Sequence, residues 1–326
     1  MQDAETKSLL LLDAKKGLQL AAPNLISDGG AAAVFAWEEL FLGQICNAHT
    51  RKAYLHAVRR FLAWCEPRVA ELQRITPGMV GRYFDELPVA VPSKKLHLAA
   101  LRIFFDVLVQ RHVVVLNPAH SVRTERYSVM EGRTPEISVE QAKTLLASIE
   151  LKTVVDYRDR ALIAVLIYTA ARAGAVGNLR LKDLIDEGRR FALRFAEKGG
   201  KARTIPVRED LEKYLSEYLA VAGVMDESKD SPLFRTAAGR KLGLSARAMN
   251  GVDICRLVKR RLKTAGLPTL ASPHSFRACV ATDLLTQGVA LEDVQYLLGH
   301  SDSRVTKLYD RRQKQVTRNI VERISV

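Results

Sequence analysis

Near one end of the sequence, Tyr296-Leu297-Leu298-Gly299-His300-Ser301-Asp302-Ser303-Arg304-Val305-Thr306-Lys307-Leu308-Tyr309 places an imidazole, His300, nine positions before a phenol, Tyr309. Basic residues crowd the stretch, and His274-Ser275-Phe276-Arg277 lies shortly upstream. A tyrosine held among cations is poor core material but suits an oxygen nucleophile that attacks an anion. A phenol titrates near 10, so such a nucleophile needs a base or nearby cations to act at neutral pH. His274 and Arg277, at i,i+3, share one face of a helix. Taken alone, Tyr309 reads better as an amphipathic-helix residue with its hydroxyl in water, and a lone histidine is more often structural than catalytic.

The chain that must position these groups has 326 residues, which predicts about two domains. Its 48% apolar content supports real cores, and a net charge of +14 implies a polyanionic partner, nucleic acid ahead of a membrane surface. No apolar run approaches the roughly 20 residues that span a bilayer. Asp3, Glu5 and Asp13 around Ser8-Leu9-Leu10-Leu11-Leu12 argue against a signal peptide. Cys46, Cys65, Cys255 and Cys279 are far apart, so reduced thiols in a cytoplasmic protein are expected, without a disulfide framework or zinc site.

Helical periodicity begins at Thr50, a plausible N-cap, and runs through Tyr54, Val58, Phe61 and Leu62, with Arg51, Lys52, Arg59 and Arg60 interleaved. Thr76-Pro77 starts a second helix that Leu87-Pro88 ends; Ser93 opens a third that stops near Asn117-Pro118. This is a helical domain of residues 45–120, preceded by an extension, 1–44, of unassigned role. Residues 121–136, with Arg123, Arg126 and Arg133, read as a basic linker. Ser138 and Gln141 have capping-box spacing. Helices are expected at about 138–149 and 156–170, then 208–222, 253–265, 273–287, 290–298 and 301–309. Between them Phe191, Leu193 and Phe195 alternate with smaller or polar residues, Gly199-Gly200 turns, and Thr204-Ile205-Pro206-Val207 returns as a β-hairpin.

Thr169-Ala170-Ala171-Arg172, Leu179-Arg180-Leu181-Lys182-Asp183-Leu184, Glu197-Lys198-Gly199-Gly200-Lys201-Ala202-Arg203, His274-Ser275-Phe276-Arg277, Leu298-Gly299-His300-Ser301 and Tyr309 follow one another in this order. Together they resemble the ordered motifs of the tyrosine recombinase (phage-integrase-like) family, over about residues 45–326. The resemblance implies a mainly α fold with a small antiparallel β-hairpin or sheet: an N-terminal helical core-binding domain, then an α+β catalytic domain over 137–311. It implies a tail, 312–326, that contacts a neighbouring protomer. Two guanidiniums, Arg172 and Arg277, would grip the non-bridging oxygens of a phosphodiester bidentately, as a lysine cannot. Each such preorganised donor is typically worth ~3–4 kcal/mol in the transition state. Tyr309 would be the nucleophile, forming a 3′-phosphotyrosyl link and freeing a 5′-hydroxyl. Lys198, with Lys201 as competitor, would protonate that oxygen. His274 would serve as base or proton relay, and His300 would bond the phosphate or pack on the nucleophile.

No cofactor or metal is implied: the sequence has neither a Walker-type G-x-x-x-x-G-K-[ST] nor an acidic cluster of two-metal spacing. The implied partners are double-stranded DNA with inverted half-sites, further copies of the chain in a homo-tetramer, and accessory DNA-bending or directionality proteins at the nucleoid. The chain departs from the family pattern at Ala175, where an acidic residue is usual, and at Ala278 and Asp283, where histidine is common; Glu197 and Asp183 are candidates to replace the missing carboxylate. Two other readings remain open. Residues 291–305 also resemble a helix-turn-helix, as in a non-catalytic regulator. A type IB topoisomerase would use the same tyrosine chemistry to relax DNA.

Overall fold

The computed structural model describes residues 20–126, 135, 137–188, 190–196, 202–239, 243–299 and 306. The chain divides into two compact units, Met1–Ser128 and Val129–Val326. Both are mainly helical, and the second carries small antiparallel sheets.

The first unit is built from α1 (Asn24–Ser27), α2 (Ala31–Glu38), a π-helical turn (Glu39–Gln44), α3 (Ala48–Cys65), α4 (Pro77–Glu86) and α5 (Val91–Gln110). Residues 20–44, expected to precede the domain, belong to its core: Leu25, Ile26, Trp37, Leu40 and Phe41 are buried with Phe61, Phe104 and Phe105. The helical period is hidden in the sequence because Gly30, at φ 83°, breaks it just before α2. Asn47, not Thr50, caps α3. Its carboxamide oxygen accepts from the N–H groups of His49 and Thr50 at 3.0 and 3.1 Å, so Thr50 lies inside the first turn. Thr76 caps α4 with Pro77 behind it, as the sequence indicates.

Helix α5 ends at Gln110 instead of reaching Asn117, and His112 follows in the left-handed region at φ 56°. From there the chain folds back along α5. Arg102 donates to Ala119 O at 3.1 Å and to Val122 O at 2.7 Å, Asn117 Nδ2 to Arg102 O at 2.9 Å, and Lys94 pairs with Glu125 at 3.0 Å. The start of the expected linker is thereby strapped to the helical unit. Of the basic residues on α3, two serve the unit itself: Arg51 binds Ile45 O, and Arg59 donates to Ala21 O at 2.8 Å.

The second unit opens with α6 (Val139–Ala147), whose capping box of Ser138 and Gln141 forms as the spacing predicts. Helix α7 (Val154–Thr169) is its spine, with every residue from Ala161 to Leu166 fully buried. The short α8 (Ala173–Gly177) leads to β1 (Leu184–Asp186), β2 (Phe191–Ala196) and β3 (Ala202–Pro206), an antiparallel sheet with Leu193 opposite Leu184 and Ile205. The strands β2 and β3 are the hairpin read from the sequence; β1 is too short to show a period of two. Helix α9 (Glu209–Ala222) packs on α7. A second hairpin, β4 (Arg235–Ala238) with β5 (Gly243–Ala248), was not evident in the sequence. Helices α10 (Gly251–Thr264), α11 (Pro273–Thr286) and α12 (Leu291–Leu298) follow among the described residues; the helix expected at 301–309 lies outside them except for Thr306. Asp159, fully buried, is held by Arg158 on its own helix and by Arg260 and Arg261 of α10, at 2.5, 2.7 and 2.7 Å. Among the described residues, no helix is long and apolar enough to cross a membrane.

Candidate active site

Helix α7 ends at Thr169, the first residue of the first candidate motif. Ala170, buried and not a glycine, adopts the left-handed conformation at φ 48° and ψ 27°. Its conformation is supported by Thr169, whose hydroxyl donates to Val165 O at 2.6 Å and accepts from Ala171 N at 3.3 Å. Such a turn costs an alanine roughly 1–2 kcal/mol. It turns the chain out of the core, so that Arg172 becomes the N-cap residue of α8 with its side chain exposed. The apolar helix before Arg172 therefore does not bury its charge.

Arg277 is the buried guanidinium. It lies on the inner face of α11, 1% exposed, donating from Nη1 to Ala170 O at 2.5 Å and from Nη2 to Leu298 O. Arg172 donates from Nη2 to Gly299 O at 3.3 Å. Two arginines separated by 105 positions thus grip consecutive carbonyls at the C-terminal end of α12. Gly299 closes that helix in the left-handed region, at φ 59° and ψ 46°, which glycine adopts without strain. A helix C-terminus carries partial negative charge, so its carbonyls are natural acceptors for cations.

His274 is on the first turn of α11, on the exposed side, one turn before Arg277. Its pKa is lowered from the ordinary value of 6.5: desolvation contributes most, then the charges of Arg277 and Arg172. A downward shift from 6.5 favours the neutral imidazole near pH 7. The positive end of α11 works in the same direction. The structure brings Arg172, His274 and Arg277 together from α8 and α11; Lys198, His300 and Tyr309 lie outside the described residues.

The carboxylate missing at Ala175 is not replaced by Asp183. That side chain accepts from Arg180 N at 2.9 Å and from Arg194 at 3.4 Å. Glu197 lies outside the described residues. Ala175 packs against the apolar core, as a partly buried helix residue. Position 177 is more demanding: a Cβ on Gly177 would stand 2.4 Å from Met249 O, so only glycine lets α8 approach the chain entering α10 so closely.

The sequence reading missed Arg203 on β3. It is 6% exposed, lies opposite Phe195 with its guanidinium 6.0 Å from that ring's centre, and donates to Tyr296 O at 3.4 Å. A signal was present: in the alternation of β3, Arg203 has the same inward parity as Ile205. Among the described residues, no group of three or more His, Cys, Asp or Glu is placed to hold a metal ion.

Residues 136–316, more than half of the chain, match the sequence model of the phage integrase family. The chain belongs to that family. Residues 37–112 also match the N-terminal SAM-like domain of phage integrases, within the first helical unit. Relatives of this phage integrase include tyrosine recombinase XerC 2 of Ralstonia nicotianae, 29% identical over 274 residues that cover 81% of this chain and 76% of the relative. Tyrosine recombinase XerD of Chlorobaculum tepidum is 28% identical over 273 residues, covering 81% and 86%. Among solved structures, XerH site-specific recombinase bound to palindromic difH substrate, in a post-cleavage complex, superposes with a TM-score of 0.67 at 19% identity, covering 88% of this chain and 87% of that one. A lambda integrase dimer bound to a COC′ core site gives 0.62 at 18% identity over 87% of this chain and 96% of that one. At these identities the structures establish a shared fold.

Proposed function

We propose that this phage integrase is a site-specific DNA recombinase that cleaves and rejoins DNA through a 3′-phosphotyrosyl intermediate. The observation that carries the reading is the convergence of Arg172 and Arg277 on consecutive carbonyls beside a neutral His274. Three groups of this type, drawn from distant parts of the chain, suit a phosphodiester and have no such role in a regulator that merely binds DNA. The XerH and lambda integrase structures, solved bound to a difH substrate and to a COC′ core site, support DNA as the partner of this chain.

In the proposed reaction the two guanidiniums take the non-bridging oxygens of the scissile phosphate, in place of main-chain carbonyls, and bear the charge that builds there. The Tyr309 oxygen attacks phosphorus while its proton passes to His274, directly or through water. The bond from phosphorus to the 5′-oxygen breaks, and Lys198 donates the proton that this oxygen needs. His300 bonds the phosphate or packs on the nucleophile. Attack by the 5′-hydroxyl of another strand reverses every step, so the energy of the broken bond stays in the protein–DNA link and no nucleotide hydrolysis is required.

Residues 45–120 with the preceding helices act as the core-binding domain, 121–136 as the connector across the duplex, and 137–311 as the catalytic domain. The tail, 312–326, joins protomers in a tetramer that holds two duplexes with inverted half-sites. Accessory DNA-bending or directionality proteins set the outcome at the nucleoid.

The test is Tyr309→Phe on a nicked suicide duplex that carries the chain's own binding site, located by footprinting. The variant should bind that site with unchanged affinity and form no covalent adduct. An adduct that persists removes Tyr309 from its role. A wild-type chain that binds without ever forming one leaves the regulator reading, and relaxation of any plasmid without recombination leaves the topoisomerase reading.

A further inference from the structure

Three arginines, not two, hold the last turn of α12. Arg172 donates to Gly299 O, Arg277 to Leu298 O, and Arg203 to Tyr296 O. The third comes from the sheet. Arg203 points inward from β3, is 6% exposed, and has its guanidinium over the ring of Phe195, its cross-strand partner. Burying a guanidinium on a strand is costly unless its surroundings supply compensating charge or acceptors. The C-terminal end of α12 and an aromatic face supply both. The bond is selective for the main chain: the Tyr296 side chain is 74% exposed, while its carbonyl turns inward to β3.

The geometry points to Arg203 as a positioning residue of the strand-transfer site, which ties the β2–β3 hairpin to the turn of α12 that Arg172 and Arg277 also hold. The inference rests on the proposed reaction, in which the sequence continues from that turn into His300 and Tyr309. Its physical content is registration. The proposed phosphate site lies where Arg172 and Arg277 meet Gly299 O and Leu298 O, while the sheet holds the same turn at Tyr296 O. If a phosphate draws Arg172 and Arg277 away from Gly299 O and Leu298 O, the bond from Arg203 to Tyr296 O is untouched. Arg203 can then keep the turn in place while its other two partners exchange. It makes no contact with substrate in this scheme and acts through the polypeptide it holds.

The experiment is single-turnover cleavage of the nicked suicide duplex by the full chain, with rate and amplitude recorded separately and half-site binding measured alongside. Arg203→Met keeps the volume of the side chain and removes the donor. The rate constant should fall by roughly tenfold to a hundredfold, the scale on which a small misplacement of reacting groups acts. Amplitude and DNA affinity should stay within about twofold of wild type. Arg203→Lys, which keeps a charge and a donor, should recover most of the rate. A structural role alone gives a different pattern: amplitude falls with the folded fraction, while the rate of the surviving molecules is unchanged. That pattern overturns the inference, as does a Met variant that cleaves at the wild-type rate. Should Arg203→Met not fold, Arg203→Gln, which stays polar but is too short to reach Tyr296 O, decides by the same criteria. Failure of the underlying reaction is distinguishable, since the wild-type chain would then yield no adduct at all.

Discussion

Replacing Arg277 by alanine should unfold the catalytic unit more easily while leaving the N-terminal unit alone. Arg277 is 1% exposed and donates to the carbonyls of Ala170 and Leu298, which belong to different elements. Without it both acceptors stay buried with that donor gone. Each such loss costs about 1–3 kcal/mol, so the pair costs about 2–6 kcal/mol. Water admitted to the vacated polar space satisfies part of the demand and brings the expectation to about 2–4 kcal/mol. The proposed phosphate grip is lost as well, and removal of one preorganised donor typically slows such a reaction by about 10²–10³-fold.

The assay is urea unfolding of the full chain with two probes. Both tryptophans of the sequence, Trp37 and Trp64, fall in the N-terminal unit, so their fluorescence follows that unit, whereas far-UV circular dichroism follows the whole chain. The dichroism transition of the catalytic unit should move to lower urea and the fluorescence transition should stay. Arg277→Lys should lose about half as much stability as the alanine variant, because a compact ammonium spans the two carbonyls less well than a planar fork. A loss of less than about 1 kcal/mol in Arg277→Ala, the scale of an ordinary surface change, refutes this role for Arg277. A fluorescence transition that moves in step with the dichroism refutes it equally.

Other expectations concern protons and packing. In the N-terminal unit Tyr83 OH and His97 Nδ1 lie 3.1 Å apart in the core; burial, then Arg60 and His56, lower the pKa of His97 from 6.5, and burial pushes Tyr83 up to about 12. The unfolded chain thus binds the His97 proton more readily. Stability should be flat above pH 6.5 and decline as pH falls through that value toward the folded pKa, read by tryptophan fluorescence in urea at stepped pH. For the proposed base His274, lowered from the same 6.5, the acid limb of the cleavage rate should lie below that value in a pH–rate profile of the wild-type chain. Gly177→Ala must move either α8 or Met249 O out of a 2.4 Å approach. It should cost about 1–3 kcal/mol in urea unfolding and slow cleavage through displacement of Arg172, with Gly174→Ala as the control, since nothing stands within 4 Å of a Cβ there.

The sequence by itself determined the class of the fold and the identity of the chemical groups. Helix starts at Thr76-Pro77 and Ser138, and the alternation of Phe191, Leu193 and Phe195, are local signals, because caps and strand parity depend on residues a few positions apart. Arg172, His274 and Arg277 were legible as a set because their types and order carry a resemblance, whatever lies between them. The structure decided what depends on distant partners. Residues 20–44 join the first core because Trp37 and Phe41 meet Phe104 and its neighbours across the unit, which no local period reveals. Arg172 came out exposed and Arg277 buried because Ala170 turns left-handed and the end of α12 presents its carbonyls there. Ala175 faces the core, and Asp183 is engaged by Arg180 and Arg194, so Asp183 does not replace the brace that the family pattern suggested; Glu197, the other candidate, lies outside the described residues. Arg203 carried only the parity of its strand in the sequence. Its role depends on a carbonyl 93 positions away, and such a distance is closed only when helix and sheet pack together.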